Sequence, residues 1–82
     1  MENTMRLSRL AVSDRACVTG LTAQGGMRRR LLDLGFCEGA MVECVGKSPG
    51  GDPSAYLICG AVIAIRAADA DTVTVCREGV WD

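Results

Sequence analysis

The 82-residue sequence contains no histidine, the side chain that enzymes use most often for proton transfer near neutral pH. No serine has a plausible base nearby in the sequence, and no carboxylate pair has a catalytic spacing, so we expect a protein that is not an enzyme. The cysteines form no Cys-x-x-Cys pair, and a metal site without histidine would have only thiolate and carboxylate ligands. The sequence thus predicts no catalytic residue, no metal ligand set and no cofactor.

Long apolar runs and an excess of positive charge are also absent. The longest uncharged apolar-rich stretch, residues 54–65, has 12 residues, whereas a membrane-spanning helix needs about 20. Nine Lys and Arg against ten Asp and Glu give a net charge of -1, which disfavours nucleic acid as a partner. The polar start leads to no apolar signal segment. We therefore expect a cytoplasmic protein with no direct membrane insertion and no nucleic-acid binding.

The composition is that of a chain that folds. Hydrophobic residues make up 49% of it and charged residues 23%, with a mean hydropathy of +0.20, unlike the low hydrophobicity of disordered chains. We predict a single domain over residues 1–82. The aromatic residues are Phe36, Tyr56 and Trp81, so the core must be aliphatic; Trp81 is either a hydrophobic latch or an exposed contact residue.

Alternating and β-branched segments predict four to five short strands. The alternation places Val42 and Cys44 on one face of their strand, and Val73 and Val75 inward on the last strand. Gly60 suggests a bulge or sharp bend of the kind that small barrels use at corners. The predicted strands lie at residues 16–21, 40–47, 56–59, 62–65 and 72–76, with a turn at 48–53 and a helical turn at 67–71.

One segment has the period of a helix. Met27, Leu31 and Leu34 recur at i, i+4 and i+7, which predicts an amphipathic helix over residues 27–34. Gly35 is expected to end it. Before the first strand, Leu7 and Leu10 suggest an N-terminal segment that covers the sheet. Val12 could join them, and Ser8 could cap a short turn there.

The charges of this helix run against its dipole. Arg28, Arg29 and Arg30 lie toward the positive end and Asp33 toward the negative end, and each misplaced charge costs roughly 0.3 to 1 kcal/mol at low salt. Two interpretations carry about equal weight. The arginines either fold back onto carboxylates such as Asp33 or Asp52, or they and Asp33 form a binding surface for an acidic partner.

Five cysteines are many for a chain of this length. Most are expected to be small buried hydrophobes. Cys37, Cys59 and Cys76 are expected to be exposed, because Cys37 follows the helix and the other two are out of phase with the inward residues of their strands. Exposed thiols could bind a soft metal or respond to oxidation.

Four blocks of sequence occur in a specific order, and together they span most of the chain. They are GMRRRLLDLGF at 26–36, GAMVECV at 39–45, SPGGDP at 48–53 and GAVIAIR at 60–66. In content, order and spacing the sequence resembles the FeoA family of bacterial ferrous iron transport accessory proteins.

The resemblance implies a mainly β fold, a small SH3-like β-barrel with one inserted amphipathic helix. It further implies a non-enzymatic cytoplasmic protein that docks on the cytoplasmic GTPase region of a FeoB-type ferrous iron transporter and modulates its activity. Activation of GTP hydrolysis, gating of the transporter and assembly of a complex are all compatible with the resemblance.

Two alternatives stay open beside that function. One is a thiol-based carrier that delivers ferrous iron or zinc through Cys37, Cys59 and Cys76. The other is a regulatory domain like the C-terminal domain of iron-dependent repressors, which is similar to this family. Self-association into a homo-oligomer through an exposed strand edge is compatible with any of these functions.

Overall fold

Antiparallel strands dominate the computed structural model, which describes residues 4–77. They form one six-stranded sheet in the order β1-β6-β2-β3-β4-β5. The five predicted strands are confirmed as β2 to β6, and the predicted mainly β fold with an inserted helix is confirmed with them. The strands are β1 Thr4–Arg6, β2 Arg15–Leu21, β3 Met41–Lys47, β4 Ser54–Ile58, β5 Ala61–Ile65 and β6 Val73–Arg77.

The inserted helix α1, Gly25–Leu34, joins β2 to β3. It begins two residues before the predicted start and ends at the predicted residue, where Gly35 has a left-handed φ of 112° and donates its N–H to the carbonyls of Leu31 and Leu32. Leu31 is buried, and Met27 and Leu34 pack against the core. The apolar periodicity therefore identified the buried face of α1 correctly. A second helix, α2, Ala67–Ala70, forms the predicted helical turn before β6.

The N-terminal segment pairs with the sheet and covers its core. β1 lies antiparallel to β6, and the chain then turns through a 3₁₀ helix at Leu7–Arg9. Leu7 and Leu10 are fully buried, as predicted, but Val12 is 46% exposed. Ser8 does not cap the turn; its hydroxyl donates a hydrogen bond to the Asp71 carboxylate instead.

The core lies on the inner face of the sheet, under α1 and the N-terminal segment. The predicted inward residues of β3 and β6 are all buried. Tyr56 on β4 is buried as well, and its hydroxyl donates a hydrogen bond of 3.3 Å to the carbonyl oxygen of Leu7. The largest fully buried side chains are Tyr56, Phe36, Leu7, Leu10, Leu31, Ile58, Val18, Val42, Val73, Val75 and Cys44.

Of the two features predicted at Gly60, a bulge or a sharp bend, the structure has the sharp bend. Cys59 and Gly60 form a two-residue turn between β4 and β5, with φ values of 51° and 81°. Two positive φ values are the signature of a type I′ hairpin turn, whose twist matches that of the flanking strands. The register shifts occur elsewhere, between Val18 and Gly20 and between Cys44 and Gly46.

No helix within residues 4–77 has the length and apolar character needed to cross a membrane. Trp81, whose role the sequence left open, lies outside the described residues.

Candidate functional site

The four residues predicted as a partner-binding surface are all exposed on α1. Because α1 begins at Gly25, the three arginines occupy its fourth to sixth positions rather than its first turn. The dipole penalty falls off within the first turn, so it is smaller for Arg28, Arg29 and Arg30 than the predicted helix start implied. Asp33 is the ninth of ten helical residues and does oppose the dipole.

In the part of the chain that the structure describes, the arginines of α1 do not fold back onto carboxylates. No ion pair within residues 4–77 involves Arg28, Arg29 or Arg30. The Arg28 guanidinium donates a 3.4 Å hydrogen bond to the carbonyl oxygen of Leu21. Asp52, the other carboxylate considered, accepts the backbone N–H of Ala67 at 2.9 Å and so satisfies a free donor at the start of α2.

A cleft of about 310 Å³ separates α1 from the segment that runs through β5 and α2. Its apolar lining includes Met27, Leu31 and Leu34 from one side and Pro53 and Ile65 from the other. The same residues of α1 that were predicted to face the core thus also form the wall of this cleft, because Met27 and Leu34 are only half-buried. The cleft is an open apolar surface rather than a sealed part of the core.

Three charged side chains line the same cleft: Arg30 of α1, Arg66 at the end of β5, and Asp69 of α2. Sequence reasoning missed Arg66 and Asp69. The available signal was the return of charged residues after an uncharged strand: Arg66 directly follows β5, and Asp69 lies in α2. Two guanidinium groups beside an apolar wall can bind carboxylates through paired hydrogen bonds while the wall buries apolar side chains.

The structure does not gather the four predicted residues into one site. Arg28, Arg29 and Asp33 border a shallow depression on the other side of α1, together with Gly25 and Leu32. Arg30 alone among the four lines the cleft. The helix therefore presents two arginines on one side and one on the other, and the exposed helix surface connects them.

The expectation that most cysteines are buried is wrong. Cys44 is buried, Cys37 and Cys59 are exposed, and Cys17 and Cys76 are half-buried. Within residues 4–77, no three side chains among His, Cys, Asp and Glu are placed to hold a metal ion together. Cys37, Cys59 and Cys76 therefore do not form the common site that the carrier alternative requires.

The ionisation of one buried group is clearly altered. Burial raises the pKa of the Tyr56 phenol above its ordinary value of 10.0, because the apolar core disfavours the phenolate. Its hydroxyl is bonded to the Leu7 carbonyl, which accepts but cannot donate. The phenol thus stabilises the fold in its neutral form and has no access to a ligand.

Solved structures share this architecture. The solution structure of FeoA from Chlorobium tepidum is 37% identical, covers 92% of this chain and 71% of its own, and superposes with a TM-score of 0.85. FeoA from Stenotrophomonas maltophilia, solved in complex with zinc and described as a procaryotic SH3 domain protein, is 35% identical over 87% of this chain and 88% of its own, with a TM-score of 0.78. The fold is thus that of the small SH3-like domains found in ferrous iron transport.

The family follows from the sequence match. The FeoA domain model matches residues 5–77, and the chain belongs to the FeoA family. A curated relative, the Fe(2+) transport protein A/Fe(2+) transporter FeoB fusion protein of Porphyromonas gingivalis, is 34% identical over 71 residues. That match covers 87% of this chain but only 8% of the length of the relative.

Proposed function

We propose that this protein is a non-enzymatic cytoplasmic accessory protein of ferrous iron uptake that docks on the cytoplasmic GTPase region of a FeoB-type transporter and modulates its activity. The observation that carries the proposal is the fusion protein of P. gingivalis, whose name joins a transport protein A part to a FeoB transporter part in one chain. Fusion keeps two domains at a high effective concentration, which is useful when the domains must bind each other.

The exposed arginines of α1 and the adjacent cleft are the proposed docking surface. The chain as a whole carries a net charge of -1, so the positive charge at Arg28, Arg29 and Arg30 is local. Without ion-pair partners in residues 4–77, these guanidinium groups are available to carboxylates of another protein. The apolar wall of the cleft supplies the area that an interface needs at its centre, and the arginines supply its charged rim.

The test is calorimetric titration of this protein with the cytoplasmic region of its transporter, with and without guanine nucleotide, at two salt concentrations. We expect binding that weakens at higher salt, because the rim contacts are between exposed charges. The triple variant R28A/R29A/R30A should bind about tenfold more weakly, at roughly 0.5 kcal/mol for each exposed pair.

The matched control is R6A/R9A/K47A, which removes three exposed positive charges from other surfaces. Its affinity should stay close to that of the parent. Equal affinities for the parent and the α1 variant at physiological salt would show that the arginine assignment is wrong. The absence of binding in every nucleotide state would overturn the docking proposal itself.

A further inference from the structure

Three sulfur-bearing side chains lie in one row across neighbouring strands. Cys76 of β6 is directly opposite Cys17 of β2, and Cys17 is directly opposite Met41 of β3. Directly opposed residues of an antiparallel sheet project from the same face. The strand neighbours Val18 and Val75 are buried, so the row lies on the outer face of the sheet.

The spacing of the row suits a metal ion held between two thiolates. Directly opposed side chains have Cβ atoms about 4.5 to 5.5 Å apart. Because the two side chains project from the same face, their sulfur atoms can lie at a similar separation. Two metal–sulfur bonds of about 2.3 Å each can span nearly that distance from one sulfur to the other. Cys17 and Cys76 can therefore hold one ion between them by rotation of their side chains, without movement of the strands.

The third sulfur lies on the far side of Cys17, where Met41 is directly opposite it. Neighbouring strands are about 4.8 Å apart, so an ion midway between Cys17 and Cys76 lies roughly 7 Å from Met41, farther than its side chain reaches. The site therefore has two sulfur ligands. The Cys17 thiol itself makes only a weak 3.9 Å contact to the carbonyl of Val18, which a metal–sulfur bond would readily replace.

The donor set selects the kind of metal. Zinc in structural sites takes four ligands from Cys, His and carboxylates, and residues 4–77 offer no group of even three such side chains. Two thiolates are soft ligands, which favour Cu(I). We propose that Cys17 and Cys76 form a two-coordinate binding site for Cu(I). The two thiols release their protons to solvent when the ion binds.

This sulfur row does not depend on the proposed docking function. It uses β2, β3 and β6, whereas the docking surface uses α1, β5 and α2. Each proposal can fail while the other holds, since one is tested with a protein and the other with a metal ion.

The experiment is an anaerobic titration of the full-length, fully reduced protein with Cu(I), in competition with the chromophoric chelator bicinchoninate. We expect the protein to withdraw one Cu(I) per chain from the chelator. C17S and C76S should each lower the affinity by at least about 100-fold, because loss of an outer-shell partner alone costs 10- to 100-fold. M41L should leave the affinity unchanged, because the thioether does not reach an ion held between Cys17 and Cys76.

The matched control is C37S/C59S, which removes the two exposed thiols and should leave Cu(I) affinity unchanged. Failure of the parent to withdraw Cu(I), or loss of binding in this control with retention in C17S, would overturn the proposal. Zn(II) binding by the same residues, with an affinity equal to that for Cu(I), would also overturn it. X-ray absorption of the Cu(I)-loaded parent needs no variant to fold: two sulfur ligands support the site, and nitrogen or oxygen ligation contradicts it.

Discussion

Gly35 and Cys59 are in such close contact that a side chain at position 35 would have to displace the Cys59 sulfur. A Cβ atom built on Gly35 would lie 2.6 Å from the Cys59 sulfur. Gly35 ends α1 and Cys59 begins the turn between β4 and β5, so this contact sets how closely the end of the helix approaches the hairpin. Two features of position 35 favour glycine. Its φ is left-handed, at 112°, and the Cys59 sulfur occupies the place of a Cβ atom.

Gly35→Ala should therefore destabilise the fold by about 2 kcal/mol or more, combining backbone strain with overpacking. Chemical denaturation measures the change. Gly25→Ala is the control, because Gly25 also has a positive φ but open space around its Cβ position. The stability that Gly35→Ala loses through contact with the Cys59 sulfur should be smaller in a Cys59→Ala background. Equal losses for Gly35→Ala and Gly25→Ala would show that the close contact contributes nothing.

Tyr56→Phe should cost about 1 kcal/mol of stability, the net value of one buried hydrogen bond. The loss stays modest because the Leu7 carbonyl keeps a second donor, the backbone N–H of Leu10 at 3.0 Å. Urea denaturation of both proteins at pH 7 measures it. A Tyr56→Phe variant as stable as the parent would mean that the 3.3 Å contact adds no net stability.

The same pair of proteins should show a characteristic pH dependence. Burial raises the pKa of Tyr56 in the folded state above 10.0, so the folded protein holds the phenolic proton more tightly than the unfolded chain. This contribution is complete below pH 10 and declines as the pH rises through the folded-state pKa. The stability difference between parent and Tyr56→Phe should shrink above pH 10. A difference that stays constant from pH 9 to 11 would contradict the buried phenol.

Asp33→Asn should stabilise α1. Asp33 lies in the last turn, where a negative charge opposes the helix dipole by roughly 0.3 to 1 kcal/mol at low salt. Thermal unfolding at low and high salt measures the gain, which should fade as salt is added. Glu38→Gln, at an exposed residue beyond the helix, is the charge-matched control and should change stability little. A gain independent of salt would indicate a cause other than the dipole.

Arg66→Glu should weaken binding to the transporter region by about tenfold, because it places a negative charge beside the cleft where an acidic partner is proposed to bind. The side chain is exposed, so the fold should be unaffected. Arg6→Glu makes the same charge change on another surface and should have little effect on calorimetric affinity. If both variants bind alike, the cleft is not part of the interface.

Features that depend on residues close together in the chain could be predicted correctly from the sequence. The alternation of Val73 and Val75 identified a strand face, and the spacing of Met27, Leu31 and Leu34 identified the buried face of α1. Both patterns reflect the periods of strand and helix. The strand β1 was missed because three residues with no apolar alternation carry no such signal, and the strand exists only through its pairing with β6.

The sequence alone determined the order of the elements from β2 to β6, the helix end at Gly35 and the family resemblance, because these depend on local periodicity and on the order of blocks along the chain. Only the tertiary structure brought Arg66 and Asp69 to the cleft beside Arg30, and only the strand register placed Cys17 opposite Cys76. The physical reason is that contacts between residues far apart in sequence are fixed by strand pairing and packing. No spacing along the chain encodes them.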